Sequence, residues 1–230
     1  MFVINNFKLF VKKQEVLRAV NTYYDLSHYE DIKQIYENMY KLAIEKTTPF
    51  GAFEIEENSS SHKLNSATLQ NCKYMIFCIF TLGDEITEII DGLFDKNEFT
   101  QAIILDAIST SMLFHLSKQM YNSIYEFSKE KHMGLTCRIA PGDGEIDINY
   151  QKSIVEKFDK LEKIKFSAVS DCIIKPYKTL TYIYGADNNI KINREDHHCN
   201  TCQNKNCFMR NSTKKTRGAF IESDSEENEN

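Results

Sequence analysis

The chain has 230 residues, of which 42% are apolar, and a net charge of −5. That is long and apolar enough for one domain with a buried core. The weak acidity excludes a strongly basic nucleic-acid surface, since the short basic stretch Lys214-Lys-Thr-Arg217 runs straight into an acidic tail.

In chain order, Phe2-Val-Ile4 reads as a short strand and Gln14 to Val20 as a helix, with Val16, Leu17 and Val20 at helical spacing. Residues 29–46 form a clearer amphipathic helix, stopped by Thr47-Thr-Pro49. Phe50 to Glu56 alternates like a half-buried strand, and residues 57–62 form a polar loop. Lys73 to Leu82 is a near-continuous apolar run, rich in aromatic and β-branched residues, as in a buried strand. Gly83 ends it, and Asp84 is placed to cap a helix running to about Leu93.

The longest predicted helix runs from Phe99 to Lys131, ~50 Å at 1.5 Å per residue. Its centre, Ala102 to Leu116, is apolar nearly all round, which predicts cover on both faces. Leu135 to Ala140 reads as a strand. Asp147 or Asn149 would cap a further helix to about Leu161. Val169–Ile174 and Thr179–Tyr184 read as two strands of one hairpin about Lys175-Pro-Tyr-Lys178. The last stretch, 211–230, is polar and acidic and is expected to be disordered. The expected organisation is an α+β domain over 1–190, a Cys-rich segment over 191–210 and the acidic tail. No apolar run reaches the ~20 residues of a membrane span. Met1 to Phe7 carries no charged segment ahead of an apolar one. A cytoplasmic protein without membrane or nucleic-acid partners is therefore expected.

Two stretches carry chemistry. The first is Cys137-Arg-Ile-Ala-Pro-Gly-Asp-Gly-Glu145, which unites one of three prolines with two of eight glycines beside an arginine. Pro141 fixes its own φ, and Gly142 and Gly144 can adopt angles closed to other residues. This is either a shaped turn or a loop with amides and a guanidinium for a carboxylate-bearing ligand. The second is Cys199-Asn-Thr-Cys202 with Cys207. These hold three of seven cysteines in a polar setting, whereas Cys72, Cys78, Cys137 and Cys172 lie in apolar stretches. Thiolates at that spacing can converge on one metal, with His198 or His197 as a fourth ligand. An iron–sulfur cluster, zinc in a Cys3His site, and free thiols all remain open. His115 in an apolar helix reads as a core residue. Tyr177, Tyr182 and Tyr184 are candidates either for a ligand cleft or for the core.

From Arg138-Ile-Ala-Pro-Gly142 the chain resembles the activation domain of cobalamin-dependent methionine synthase, and more closely its free-standing relatives in anaerobic bacteria. The stretches Thr81-Leu-Gly-Asp-Glu-Ile86, Leu105-Asp-Ala-Ile108 and Ser170-Asp-Cys-Ile-Ile-Lys-Pro176 follow the family order. So does the ending Cys199…Cys207-Phe-Met-Arg210. The resemblance implies a twisted mixed or antiparallel sheet crossed by a long central helix. It also implies binding of S-adenosylmethionine and reductive methylation of a cobalamin in the inactive cob(II)alamin state. Carried over, Arg138 meets the ligand carboxylate, Ala140 gives backbone hydrogen bonds and Gly142 allows close approach. Asp143 stands where the family has a tyrosine facing the corrin. Thr110 stands where a helix carboxylate helps hold the ligand, leaving Asp106 or Asp84 as substitutes. The chain has no Asp-x-His-x-x-Gly cobalamin motif. Cobalamin is therefore expected on a corrinoid protein acting in trans, with an electron donor. A non-catalytic ligand-binding or redox- or metal-sensing protein on the same fold is the alternative.

Overall fold

The structure is a computed structural model that describes residues 1–23, 29–59, 64, 66–170, 173–192 and 196. Its elements run β1 (Phe2–Ile4), α1 (Lys13–Tyr23), α2 (Tyr29–Lys46), β2 (Phe50–Glu57), β3 (Tyr74–Thr81), α3 (Glu85–Asp95) and α4 (Phe99–Glu130). Then follow β4 (Gly134–Leu135), α5 (Tyr150–Lys157), β5 (Ser167–Ser170), β6 (Ile173–Lys175) and β7 (Thr179–Asp187). Five strands form one sheet in the order β1-β2-β3-β7-β4, antiparallel at every pairing.

The apolar run of β3 takes the middle of this sheet because both of its faces are covered, and β7 lies beside it for the same reason. On one face Ile76, Cys78, Phe80, Tyr182 and Tyr184 pack against α4, which α1, α2 and α3 cover in turn. On the other, Met75, Phe77, Ile79 and Ile183 pack against α5 and the β5–β6 pair. This alternation on two adjacent strands gives the sheet two separate cores.

α4 runs through the larger core, with Leu105, Ile108, Met112, Leu116, Met120 and Ile124 all buried. It is long and apolar enough, by length and composition, to cross a membrane, but here half of that apolar stretch is buried inside the protein. It ends in a left-handed turn at His132, φ 56°, where the His132 N–H donates to Lys129 O and the Met133 N–H to Ser128 O. That is the Schellman pattern, built on histidine instead of glycine.

The α+β architecture and the long helix are the expected ones. Three local expectations need correction. Val169–Ile174 and Thr179–Tyr184 do not form one hairpin: β5 pairs with β6 in a sheet of their own, while β7 pairs with β3 and β4. Burial decides this. Val169 and Ile173 are exposed, as in a half-covered pair, whereas β7 is buried along nearly its whole length. The predicted strand Leu135–Ala140 shrinks to two residues plus one bridge, Ile139 to Ile183. Asp84 and Asn149 sit just before α3 and α5, but neither side chain caps its helix; Asp147, the other expected cap, accepts from the Asn149 N–H at 2.9 Å, and α5 stops at Lys157.

Candidate functional site

Arg138 reaches the site because the chain after β4 stays alongside β7. Ile139 bridges Ile183 and faces the smaller core, so its neighbour Arg138 faces α4. The guanidinium lies over the Tyr182 ring, 4.5 Å from its centroid. Its Nη1 donates to Ser117 Oγ of α4 and, at 3.1 Å, to Asp196 Oδ2. The Tyr184 hydroxyl donates to the other Asp196 oxygen at 2.8 Å, and the Arg138 backbone N–H donates to Asp196 O at 2.9 Å. Both charged side chains are mostly covered, at 15% and 18% exposure. Burial alone would lower the Arg138 pKa; Tyr182, Asp196 and Tyr184 reverse this, so the net direction is upward and the guanidinium stays charged.

The groups around this pair stay protonated. Burial pushes Tyr182 up to about 12 and Tyr184 well above the ordinary tyrosine range. Burial likewise pushes the Cys78 thiol, which donates to Tyr182 O, up to about 12. At neutral pH none of the three supplies an anionic nucleophile or base. The cluster is built to hold an anion, not to attack one.

The loop after Arg138 is closed by its own backbone. Gly142 N–H donates to Ile146 O at 2.8 Å, and Asp143 N–H to Ala140 O at 3.1 Å. Gly142 and Gly144 have φ of 91° and 104°, a region that favours glycine. Ile146 anchors the loop in the smaller core. Glu145 ties it to a distant turn, accepting from Ser66 Oγ, from Thr68 Oγ1 at 2.7 Å and from Thr68 N–H at 3.2 Å. Partial burial would raise the Glu145 pKa, but these three donors hold it below the ordinary carboxylate range. Gly142 is exposed, and Asp143 is half-buried.

Asp106 and Thr110 form a second cluster, one helical turn apart on α4. Lys178, just before β7, joins them, donating to Asp106 Oδ1 at 2.7 Å and to Thr110 Oγ1 at 2.8 Å. Ser117 is seven residues past Thr110, so the two clusters share a helix face roughly 10 Å apart at 1.5 Å per residue. The six ligand-site residues expected from sequence therefore fall into three groups: Arg138, the loop of Ala140, Gly142 and Asp143, and the Asp106–Thr110 pair. Arg138 and the loop are joined by chain continuity; the α4 face links Arg138 to the pair. His115 is half-buried under α1, with Nε2 3.8 Å from Glu15. Tyr177 is exposed, unlike Tyr182 and Tyr184.

The metal candidates Cys199, Cys202, Cys207 and His198 lie outside the described residues. Among the described residues no group of three or more His, Cys, Asp or Glu is placed to hold a metal. Sequence reasoning missed Asp196, Ser117, Lys178 and the Glu145 tether. Their partners lie 58, 21, 72 and up to 79 residues away, and no local pattern marks such pairs. One weak signal was available. Ser117 is one of several serines on α4, with Ser109, Ser111 and Ser128 also buried, and a buried polar group needs a partner.

No family model matches this chain, and no curated protein matches it. Among solved structures, the crystal structure of the MetH reactivation domain bound to AdoHcy is similar, with a TM-score of 0.51 and 10% sequence identity. The match covers 76% of this chain and 70% of that one. The two share a fold, an antiparallel α+β sheet crossed by a long helix.

Proposed function

We propose that this chain binds an S-adenosyl amino acid, S-adenosylmethionine in its working state, and supports reductive methylation of a corrinoid protein in trans. Arg138 takes the ligand carboxylate, the Ala140–Asp143 loop lies alongside, and Asp106 and Thr110 serve the far end. The observation that carries this is Arg138 itself. Its charged, covered guanidinium holds a carboxylate beside a glycine-shaped loop, in a fold like that of a domain crystallised with AdoHcy. An electron donor reduces the partner's cobalt, and the ligand's methyl group passes to it, leaving S-adenosylhomocysteine. Cys199, Cys202 and Cys207, with His198, hold the iron–sulfur cluster or zinc of this reading, supported by their spacing, and the reading places the chain in a reducing cytoplasm.

A second reading, a non-catalytic ligand-binding or redox- or metal-sensing protein, is favoured by Asp143 in the place of the corrin-facing tyrosine. Calorimetry with S-adenosylmethionine tests the first. Wild type should release heat on binding, and Arg138→Ala should weaken binding roughly 10- to 100-fold, the range of a lost charged hydrogen bond. No heat with wild type rejects the S-adenosyl reading and leaves the second. Methylation of an added cob(II)alamin-loaded corrinoid protein, with a reductant present, separates them. Anaerobic purification followed by metal analysis and visible absorption decides between iron–sulfur and zinc.

A further inference from the structure

The carboxylate that Arg138 holds in this structure belongs to the chain itself. We propose that Asp196 is an internal stand-in for the ligand carboxylate, keeping the Arg138 site closed until an S-adenosyl ligand displaces it. This rests on the reading of Arg138 given above and adds a mode of regulation to it.

Three features of the geometry support exchange over permanent pairing. First, the Asp196 carboxylate is held as a ligand carboxylate would be: one oxygen on Arg138 Nη1 at 3.1 Å, the other on the Tyr184 hydroxyl at 2.8 Å. Second, the grip is incomplete. Among the described residues, the side-chain hydrogen bonds of the guanidinium fall on Nη1, one to Ser117 and one to Asp196, so Asp196 does not use the two-pronged face of the fork. A free carboxylate can use both prongs, and a bidentate pair is the stronger arrangement. Third, Asp196 lies outside every helix and strand, beyond the end of β7. Its side chain is mostly covered, so it fills the place instead of lying over it. The residues that follow are His197, His198 and Cys199, so the occupant of the arginine is tethered directly to the cysteine-rich segment.

A purely structural ion pair makes the opposite forecast. Removing its carboxylate would cost stability and leave ligand affinity unchanged or lower. Removing a competitor costs stability in the free protein but strengthens the ligand, because the ligand then supplies the missing charge to Arg138.

The experiment is calorimetry on the full chain: wild type, Asp196→Ala, Asp196→Asn and Arg138→Ala. Two probes are used, S-adenosylhomocysteine, which carries the carboxylate, and 5′-methylthioadenosine, which lacks it. Asp196→Ala should tighten S-adenosylhomocysteine by roughly tenfold or more, the equivalent of one charged hydrogen bond no longer competed for. Asp196→Asn, nearly the same shape without the charge, should gain less. Affinity for 5′-methylthioadenosine should not move. Unchanged or weaker S-adenosylhomocysteine binding in both Asp196 variants overturns the proposal; if it is still lost in Arg138→Ala, the functional reading survives. Absence of binding in every folded protein removes both. Should Asp196→Ala fail to fold, Asp196→Asn decides alone.

Discussion

The tether at Glu145 offers a quantitative test of how the loop is held. In Glu145→Ala the carboxylate disappears, and Ser66 Oγ, Thr68 Oγ1 and the Thr68 N–H lose their acceptor together. Ser66 is almost fully buried, so its hydroxyl cannot simply turn to water. Hydrogen bonds to a charged group are worth about 1.5–3 kcal/mol each, but three sharing one half-buried carboxylate do not add in full, so a loss of about 2–3 kcal/mol is expected. Urea unfolding at neutral pH should show a lower midpoint at an unchanged slope.

The same group sets the sign of a pH effect. Its folded pKa is lowered, so its contribution is fully present above the unfolded value, about 4.3, and is lost as pH falls through the folded value. The gap between wild type and Glu145→Ala should therefore narrow on acidification. Glu145→Gln keeps the shape without the charge and should cost about 1 kcal/mol. A gap under about 0.5 kcal/mol at neutral pH, or one that widens in acid, would refute the assignment of Glu145 as a charged tether.

Three further outcomes follow from packing and burial. A Cβ at Gly134 would lie 2.2 Å from Ile190 O, so Gly134→Ala should lower stability by about 2 kcal/mol or more in a thermal melt. Leu116→Ala, in the fully buried middle of α4, should cost about 2–5 kcal/mol by denaturant titration. Cys78, with its thiol pushed up to about 12, should resist alkylation in native protein at mildly alkaline pH; mass spectrometry should find it modified only after denaturation.

The fold was legible where one element carries its own evidence. The continuous apolar run of β3 and the all-round apolar centre of α4 each demanded cover on two sides, and the structure places both in the interior. What local pattern could not decide was pairing. Val169–Ile174 and Thr179–Tyr184 both read as strands, and nearness in sequence suggested a hairpin. The choice lies in the empty place between β3 and β4, which a strand buried on both faces must fill. The left-handed turn at His132 was also hidden, because histidine does not advertise a positive φ as glycine does.

The site shows the same division more sharply. Its shaped parts were readable: Pro141, Gly142 and Gly144 announce a loop by backbone chemistry alone, and Arg138 beside them announces an anion. Its charge balance was not readable. A guanidinium taken out of water needs a carboxylate, but the need says nothing about where in the chain that carboxylate sits. Folding answers by bringing Asp196 back past the end of β7 to pair with Arg138 and Tyr184. An arginine that belongs to a ligand site must be paired both when the site is empty and when it is full. The residue that pairs it in the empty state is thereby part of the binding equilibrium, and its removal should change affinity as well as stability.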